Sequence, residues 1–158
     1  MKTRDLLLTS IVASLYFVLG FLFQSIAFGQ VQVRVADALY PLISLGSPFL
    51  IGTFLGHFLF NLYGFSTGLA LGLGDLLSPF LFLVPKLLIW RYGKSRVLLF
   101  LTVLVHVITV ALWVSFLLET LFGVPQWASA PLIFLGEFIA EVLIGIPLVL
   151  VLRRTLRC

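Results

Sequence analysis

Between two apolar runs lies the polar string Phe28-Gly-Gln-Val-Gln-Val-Arg-Val-Ala-Asp37. Gln30, Gln32, Arg34 and Asp37 offer amide donors and acceptors, a guanidinium fork and a carboxylate. Such a set can read the edge of a small heterocycle. Polar side chains beside hydrocarbon are costly and so demand a reason. The plainer reading is a solvated loop in which Arg34 pairs with Asp37.

The other polar groups can be placed by depth, using the helical rise of about 1.5 Å per residue. Gln24, Asn61 and Glu119 fall near outer helix ends, and His57 lies one turn deeper than Asn61 on the same face. Asp75 opens a helix about two turns in, and Glu137 and Glu141 share one face of the last helix. Intramembrane carboxylates usually face the bundle interior and mark a substrate or ion pathway. These groups predict a pocket in the outer half, open to the outside and closed below, with Lys86 and the end charges on the cytoplasmic side. Tyr40, Phe54, Phe58, Tyr63, Trp113 and Trp127 are candidate walls for a planar ligand, although any single aromatic is more simply lipid-facing filler. His57 and His106 read individually as hydrogen-bonded core residues.

Several chemistries are missing. There is no P-loop, so this chain does not hydrolyse ATP in the usual way. Gly72-Leu-Gly74-Asp75 follows no strand and is not a dinucleotide fingerprint. The zinc-protease helix pair and the Gly-x-Ser-x-Gly elbow are absent, and two histidines without a cysteine cluster are poor evidence for a metal. Neither a cofactor nor a metal is expected. The lone cysteine, Cys158, excludes an internal disulfide.

The elements that must position these residues are membrane helices. The chain has 158 residues, 61% hydrophobic and 10% charged, where a soluble domain would carry about a quarter charged. Ten Lys and Arg oppose six acids, but the basic residues cluster at the ends of apolar runs rather than forming a stripe, which argues against nucleic acid. Spanning candidates are residues 6–28, 47–63, 69–90, 97–118 and 131–152, each near the length a bilayer requires. The first resembles a signal peptide, yet is of full spanning length and reads as a retained helix. Residues 35–45 are short and contain Pro41. They either extend the next helix or cross separately as a short, kinked helix ended by Leu45-Gly-Ser-Pro48.

Charge decides. With six helices and a cytoplasmic N-terminus, Lys2, Arg4, Lys86, Arg91, Lys94, Arg96, Arg153, Arg154 and Arg157 lie inside and only Arg34 lies outside. Five helices would put either the later clusters or Lys2 and Arg4 outside. The expectation is an all-α polytopic bundle of six transmembrane helices, one domain over residues 1–158, in the cell membrane with both termini cytoplasmic. Small residues at spacing four (Ser10 and Ser14, Thr9 and Ala13, Gly52 and Gly56, Gly68 and Gly72) permit close helix approach. The glycine pairs read as packing within the bundle, and those of the first helix as open to a partner.

Three separated motifs carry a resemblance: Phe28-Gly-x-x-Gln-x-Arg-x-x-Asp37, Gly52-Thr-Phe-Leu-Gly-His-Phe-Leu-Phe-Asn61 and Gly136-Glu-Phe-Ile-Ala-Glu-Val-Leu-Ile-Gly-Ile-Pro147. Over nearly its whole length the chain resembles the QueT family of queuosine-precursor transporters, regarded as substrate-binding S components of energy-coupling-factor transporters. Where the family pattern more often has Glu, Asp37 presents a shorter arm. The resemblance implies a six-helix S component for a 7-deazaguanine (the aminomethyl or cyano precursor, or queuine), with a transmembrane coupling protein and two ATPase subunits as partners. It implies substrate-binding roles for Gln32, Arg34, Asp37, Asn61, Asp75, Glu137 and Glu141. Glu137 is assigned to the base edge, Asp37 to a ligand cation or to orienting Arg34, and Gln32 and Asn61 act as neutral readers. Ser10, Ala13 and Ser14 are the matching partner-binding positions. The alternatives are an S component for another vitamin-like compound, a membrane enzyme using Glu137 and Glu141, and a structural subunit without ligand.

Overall fold

The computed structural model describes residues 2–27 and 33–155. It is all-α, with no strand among the described residues. Helix α1 (Thr3–Leu22) and a short α2 (Gln24–Ala27) precede a 3₁₀ helix (Val35–Leu45). Then come α3 (Ser47–Thr67), α4 (Gly72–Leu81), α5 (Leu83–Tyr92), α6 (Arg96–Phe122) and α7 (Gln126–Glu137). A π-helical segment (Phe138–Gly145) joins α7 to α8 (Ile146–Thr155). Five of these stretches are long and apolar enough to cross a membrane: α1, α3, α4 with α5, α6, and α7 through α8.

The sixth piece is the 3₁₀ helix, and its winding answers the difficulty of its length. Eleven residues rise about 22 Å at the 3₁₀ pitch of about 2.0 Å per residue, against about 16 Å as an α-helix. Its far end is a turn at Gly46, whose φ of 149° belongs to a region open essentially only to glycine. Pro48 then opens α3, where no backbone N–H is needed. The helix is a separate pass, buried from Ala36 to Ser44.

The start of α1 and the last turn of α8 meet at one end of the bundle. Arg4 and Asp5 of α1, Ser44 and Leu45, Pro48 and Phe49 of α3, Lys94 and Arg153 line one cavity of about 490 Å³. There the Arg153 guanidinium donates to Ser44 Oγ at 2.7 Å, to the Lys94 carbonyl at 3.0 Å and to the Gly93 carbonyl. That grouping requires an even number of passes, as expected for six.

Helices α1 and α3 form the most extensive pair. A Cβ on Gly56 would meet Tyr16 Cβ at 2.6 Å and the Ala13 carbonyl at 2.8 Å, and one on Gly52 would meet the Thr9 carbonyl at 2.8 Å. This glycine pair therefore packs the bundle, as its spacing suggests. The Gly68 and Gly72 pair does not: both have positive φ in the α3–α4 connection, with nothing within 4 Å. They shape a turn.

Prolines set the irregularities. Pro85 has no N–H for the Leu81 carbonyl, and the chain breaks at Phe82 between α4 and α5. Pro147 likewise follows the π segment, whose loosened winding is a form often found at functional sites.

Candidate functional site

A 3₁₀ helix repeats every three residues, so positions three apart eclipse one another. Arg34, at its entrance, then Asp37 and Tyr40 have that spacing and form one inward row. Against this row α1 places Tyr16, whose hydroxyl donates to Asp37 Oδ1 and lies 3.1 Å from the Tyr40 hydroxyl. The solvated-loop reading fails here, because Arg34 and Asp37 are each 1% exposed.

Arg34 Nη2 donates to Asp75 Oδ1 at 2.8 Å, and Nη1 lies 3.1 Å from His57 Nε2. Asn61, one turn after His57 on α3, brings Nδ2 within 3.0 Å of His57 Nε2 and donates to Ser78 Oγ at 3.0 Å. Its strongest contact has a cause in the sequence. Pro79 cannot donate to the Asp75 carbonyl four residues earlier, and Asn61 Nδ2 fills that vacancy at 2.7 Å. On the other side of the imidazole, His57 Nδ1 lies 2.6 Å from the Tyr40 hydroxyl and 3.2 Å from Lys86 Nζ. The Lys86 ammonium also sits 4.5 Å from the centre of the Tyr40 ring, a cation–π distance.

From α6, His106 Nδ1 meets Glu141 Oε1 at 2.8 Å. Carboxylate oxygens of Asp37, Glu137 and Glu141 lie within 4.8 Å of one another. Phe82, at the α4–α5 break, stacks on His57 at 6.2 Å and meets His106 edge-on at 5.7 Å. Every member of this cluster is buried to 1% exposure or less.

Six of the seven expected substrate residues are thus brought together: Arg34, Asp37, Asn61, Asp75, Glu137 and Glu141. Gln32 lies outside the described residues, as does Gln30. Three expectations need correction. The cluster is sealed rather than open to one side. Lys86 is an interior cation, about 9 Å along α5 from Tyr92, so its charge belongs to the site and not to topology. Of the six candidate aromatic walls, Tyr40 alone makes a described contact with the cluster. Phe54 and Phe58 pack on Phe80, Tyr63 donates to Gln24 Oε1 at the α1–α2 end, Trp113 donates to the Gly74 carbonyl, and Trp127 is 81% exposed. The expected partner-binding positions Ser10, Ala13 and Ser14 all line one groove of about 820 Å³ between α1 and α3, the two serines exposed and Ala13 buried.

Sequence reasoning missed Tyr16, Ser78, Phe82 and the joint role of His57, Lys86, His106 and Tyr40. Tyr40 carried a signal in its spacing of three from Asp37, legible only if the helix is 3₁₀.

The arrangement is a buried polar cluster in which Arg34 and Asn61 meet Asp75, and three further carboxylates, Asp37, Glu137 and Glu141, gather beside it. The family model described as QueT transporter matches residues 6–154. The chain belongs to the QueT transporter family. Neither a curated protein nor a solved structure matches it. QueT membership and five long apolar helices make this a multi-pass membrane transporter protein.

Proposed function

We propose that the chain is the substrate-binding S component of an energy-coupling-factor transporter, taking up a queuosine precursor or related 7-deazaguanine. Separate coupling and ATPase subunits supply the energy, and both termini face the cytoplasm. The observation that carries this reading is the sealed polar cluster inside an otherwise apolar QueT-family bundle. Binding without an enzyme's reactive constellation suits a cargo carrier. A guanine-like edge presents two donors beside one carbonyl acceptor. One carboxylate can accept both donors while Arg34 or Asn61 donates to the carbonyl. Tyr16, Tyr40 and Phe82 supply aromatic surface around such a ring.

The absence of a P-loop fits energy coupling on separate chains. Basic residues at the end where the termini meet support the orientation. Exposed Ser10 and Ser14, beside the α1–α3 groove, support α1 as the coupling face.

Calorimetry on purified protein, without ATP, tests the reading. A 7-deazaguanine should bind saturably, and Glu137→Gln should weaken binding by at least about 1.5 kcal/mol through loss of a charged hydrogen bond. Mass spectrometry of the compound that co-purifies identifies the native cargo. A folded wild type that binds no deazaguanine overturns the substrate assignment, and conversion of the bound compound overturns the carrier reading.

A further inference from the structure

The end of the bundle where α1 begins and α8 ends carries more than topology charge. Its cavity of about 490 Å³ draws one cation from each of three separate stretches: Arg4 of α1, Lys94 of the α5–α6 turn and Arg153 of α8. That volume lies in the range of about 300–1,000 Å³ typical of small-ligand sites. A second cavity of about 260 Å³ shares Ser44, Leu45 and Lys94 with it and adds Trp90 and Arg91. Across the two, Arg4, Arg91, Lys94 and Arg153 face one acid, Asp5, whose Oδ2 accepts from the Lys2 amide at 3.2 Å. The positive-inside rule asks only for charge near helix ends. It does not ask that cations from distant stretches converge on one hollow.

The parts suit a phosphate with a lipid attached. Arg153 is held in the wall by its bonds to Ser44 Oγ at 2.7 Å, the Lys94 carbonyl at 3.0 Å and the Gly93 carbonyl. A planar cation of the kind that matches phosphate oxygens is therefore already in place. Arg4 and Lys94 are exposed and can swing onto an anion. The rest of the lining includes Leu8, Leu45, Pro48 and Phe49. A free phosphate gains nothing from such apolar walls, whereas the glycerol and first methylenes of a lipid do. Depth agrees. Trp90 and Tyr92, on either side of Arg91, are 40% and 48% exposed, and such aromatics mark the headgroup level of a bilayer. The hollow is also distinct from the α1–α3 groove, since Leu8 is about 160° around α1 from Ser10.

We propose that this cavity binds one anionic phospholipid, its phosphate held by Arg4, Lys94 and Arg153 and its glycerol end lying against Leu8 and Phe49. Basic pockets between membrane helices take such headgroups on the cytoplasmic side. Occupancy ties α1 and α8 to the Ser44 end of the 3₁₀ helix, the helix that carries Asp37 and Tyr40. The lipid site is separate from the buried polar cluster and does not depend on the deazaguanine reading.

The test uses purified full-length protein stripped of lipid in a neutral detergent. Native mass spectrometry titrates it with phosphatidylglycerol and with phosphatidylcholine. The wild type should take up one phosphatidylglycerol at least about tenfold more tightly, since each basic residue near an anionic lipid contributes about fivefold. Arg4→Gln combined with Lys94→Gln should lose at least about fivefold of that preference. The charge-matched control, Arg96→Gln combined with Arg154→Gln, alters no residue lining either cavity and should keep it. Thermal unfolding checks that each variant is folded; if the first pair is not, Lys94→Gln alone should still lose at least about twofold. Phosphatidylglycerol should raise the wild-type unfolding midpoint, and millimolar inorganic phosphate should not. Equal affinity for the two lipids, or an equal loss in the control, overturns the site. An equal rise with inorganic phosphate overturns the lipid and leaves a free-anion site. No lipid uptake by the wild type, with loss of the coupling subunit from the Arg4 and Lys94 variant on co-purification, overturns the proposal in favour of a protein contact.

Discussion

Asp75→Ala is the sharpest test of how the cluster is held together. Arg34 and Asp75 are 1% and 0% exposed and 2.8 Å apart. Removing one partner of a buried ion pair costs about 3–5 kcal/mol in soluble proteins, because the other charge is stranded. A bilayer pulls this down, since the unfolded reference also finds partners there. Neutral interhelical hydrogen bonds in a membrane average about 0.6 kcal/mol and reach about 1.7. A stranded guanidinium is a larger penalty than a lost neutral bond, although His57 Nε2 at 3.1 Å offers Arg34 some relief. The expected loss is therefore about 3 kcal/mol, at the bottom of the soluble range. Reversible unfolding of purified protein in bicelles, titrated with SDS, measures it. The double change Arg34→Met with Asp75→Leu removes both charges and should recover most of that loss, as apolar replacement of a buried pair is often neutral or better. A single-variant loss below about 1 kcal/mol, or a double variant no more stable than the single, would refute the claim that charge stranding dominates.

Gly56→Leu should destabilise the fold by about 1–3 kcal/mol or more, since its Cβ would meet Tyr16 Cβ at 2.6 Å and a backbone carbonyl at 2.8 Å; an unfolding titration that shows no change would mean α1 and α3 can separate freely. Ser14→Trp should leave deazaguanine binding in calorimetry unchanged while abolishing uptake and co-purification with the coupling subunit, because Ser14 points away from the cluster. Retained uptake and co-purification would move the partner surface elsewhere. In a Cys158→Ser background, Lys94→Cys should resist an impermeant thiol reagent in intact cells and react in inverted vesicles; labelling from outside would sink the orientation.

The fold was legible where hydrophobic length and charge speak together: five long apolar stretches need only composition to be seen. The acids were legible for a related reason. Asp37, Asp75, Glu137 and Glu141 have no cheap place in a bilayer other than its interior. Lys86 escaped because a lysine about one and a half turns before Arg91 looks like one more end charge, and only its burial shows how deep it sits. Tyr16 escaped because one tyrosine in an apolar helix has no pattern; its role depends on Gly56 letting α1 come close. Ala13 and Ser14 differ by one position and line the same groove, yet helical phase buries the first and exposes the second.

The row of Arg34, Asp37 and Tyr40 exists only at a winding of three residues per turn. At 3.6 per turn each step of three falls about 60° short of a full circle. Rewound as an α-helix, the segment would present Arg34 and Tyr40 on faces about 120° apart and shorten by roughly 5 Å. Its neighbour is the π segment, underwound where the 3₁₀ helix is overwound. The two are in close contact: a Cβ on Gly145 would meet the Ala38 carbonyl at 2.5 Å and the Pro41 ring at 2.8 Å. Torsion along the chain axis is thus coupled to recognition. A twist of one helix would dismantle the cluster while every helix axis kept its place, so a comparison of axis positions alone would not register the loss.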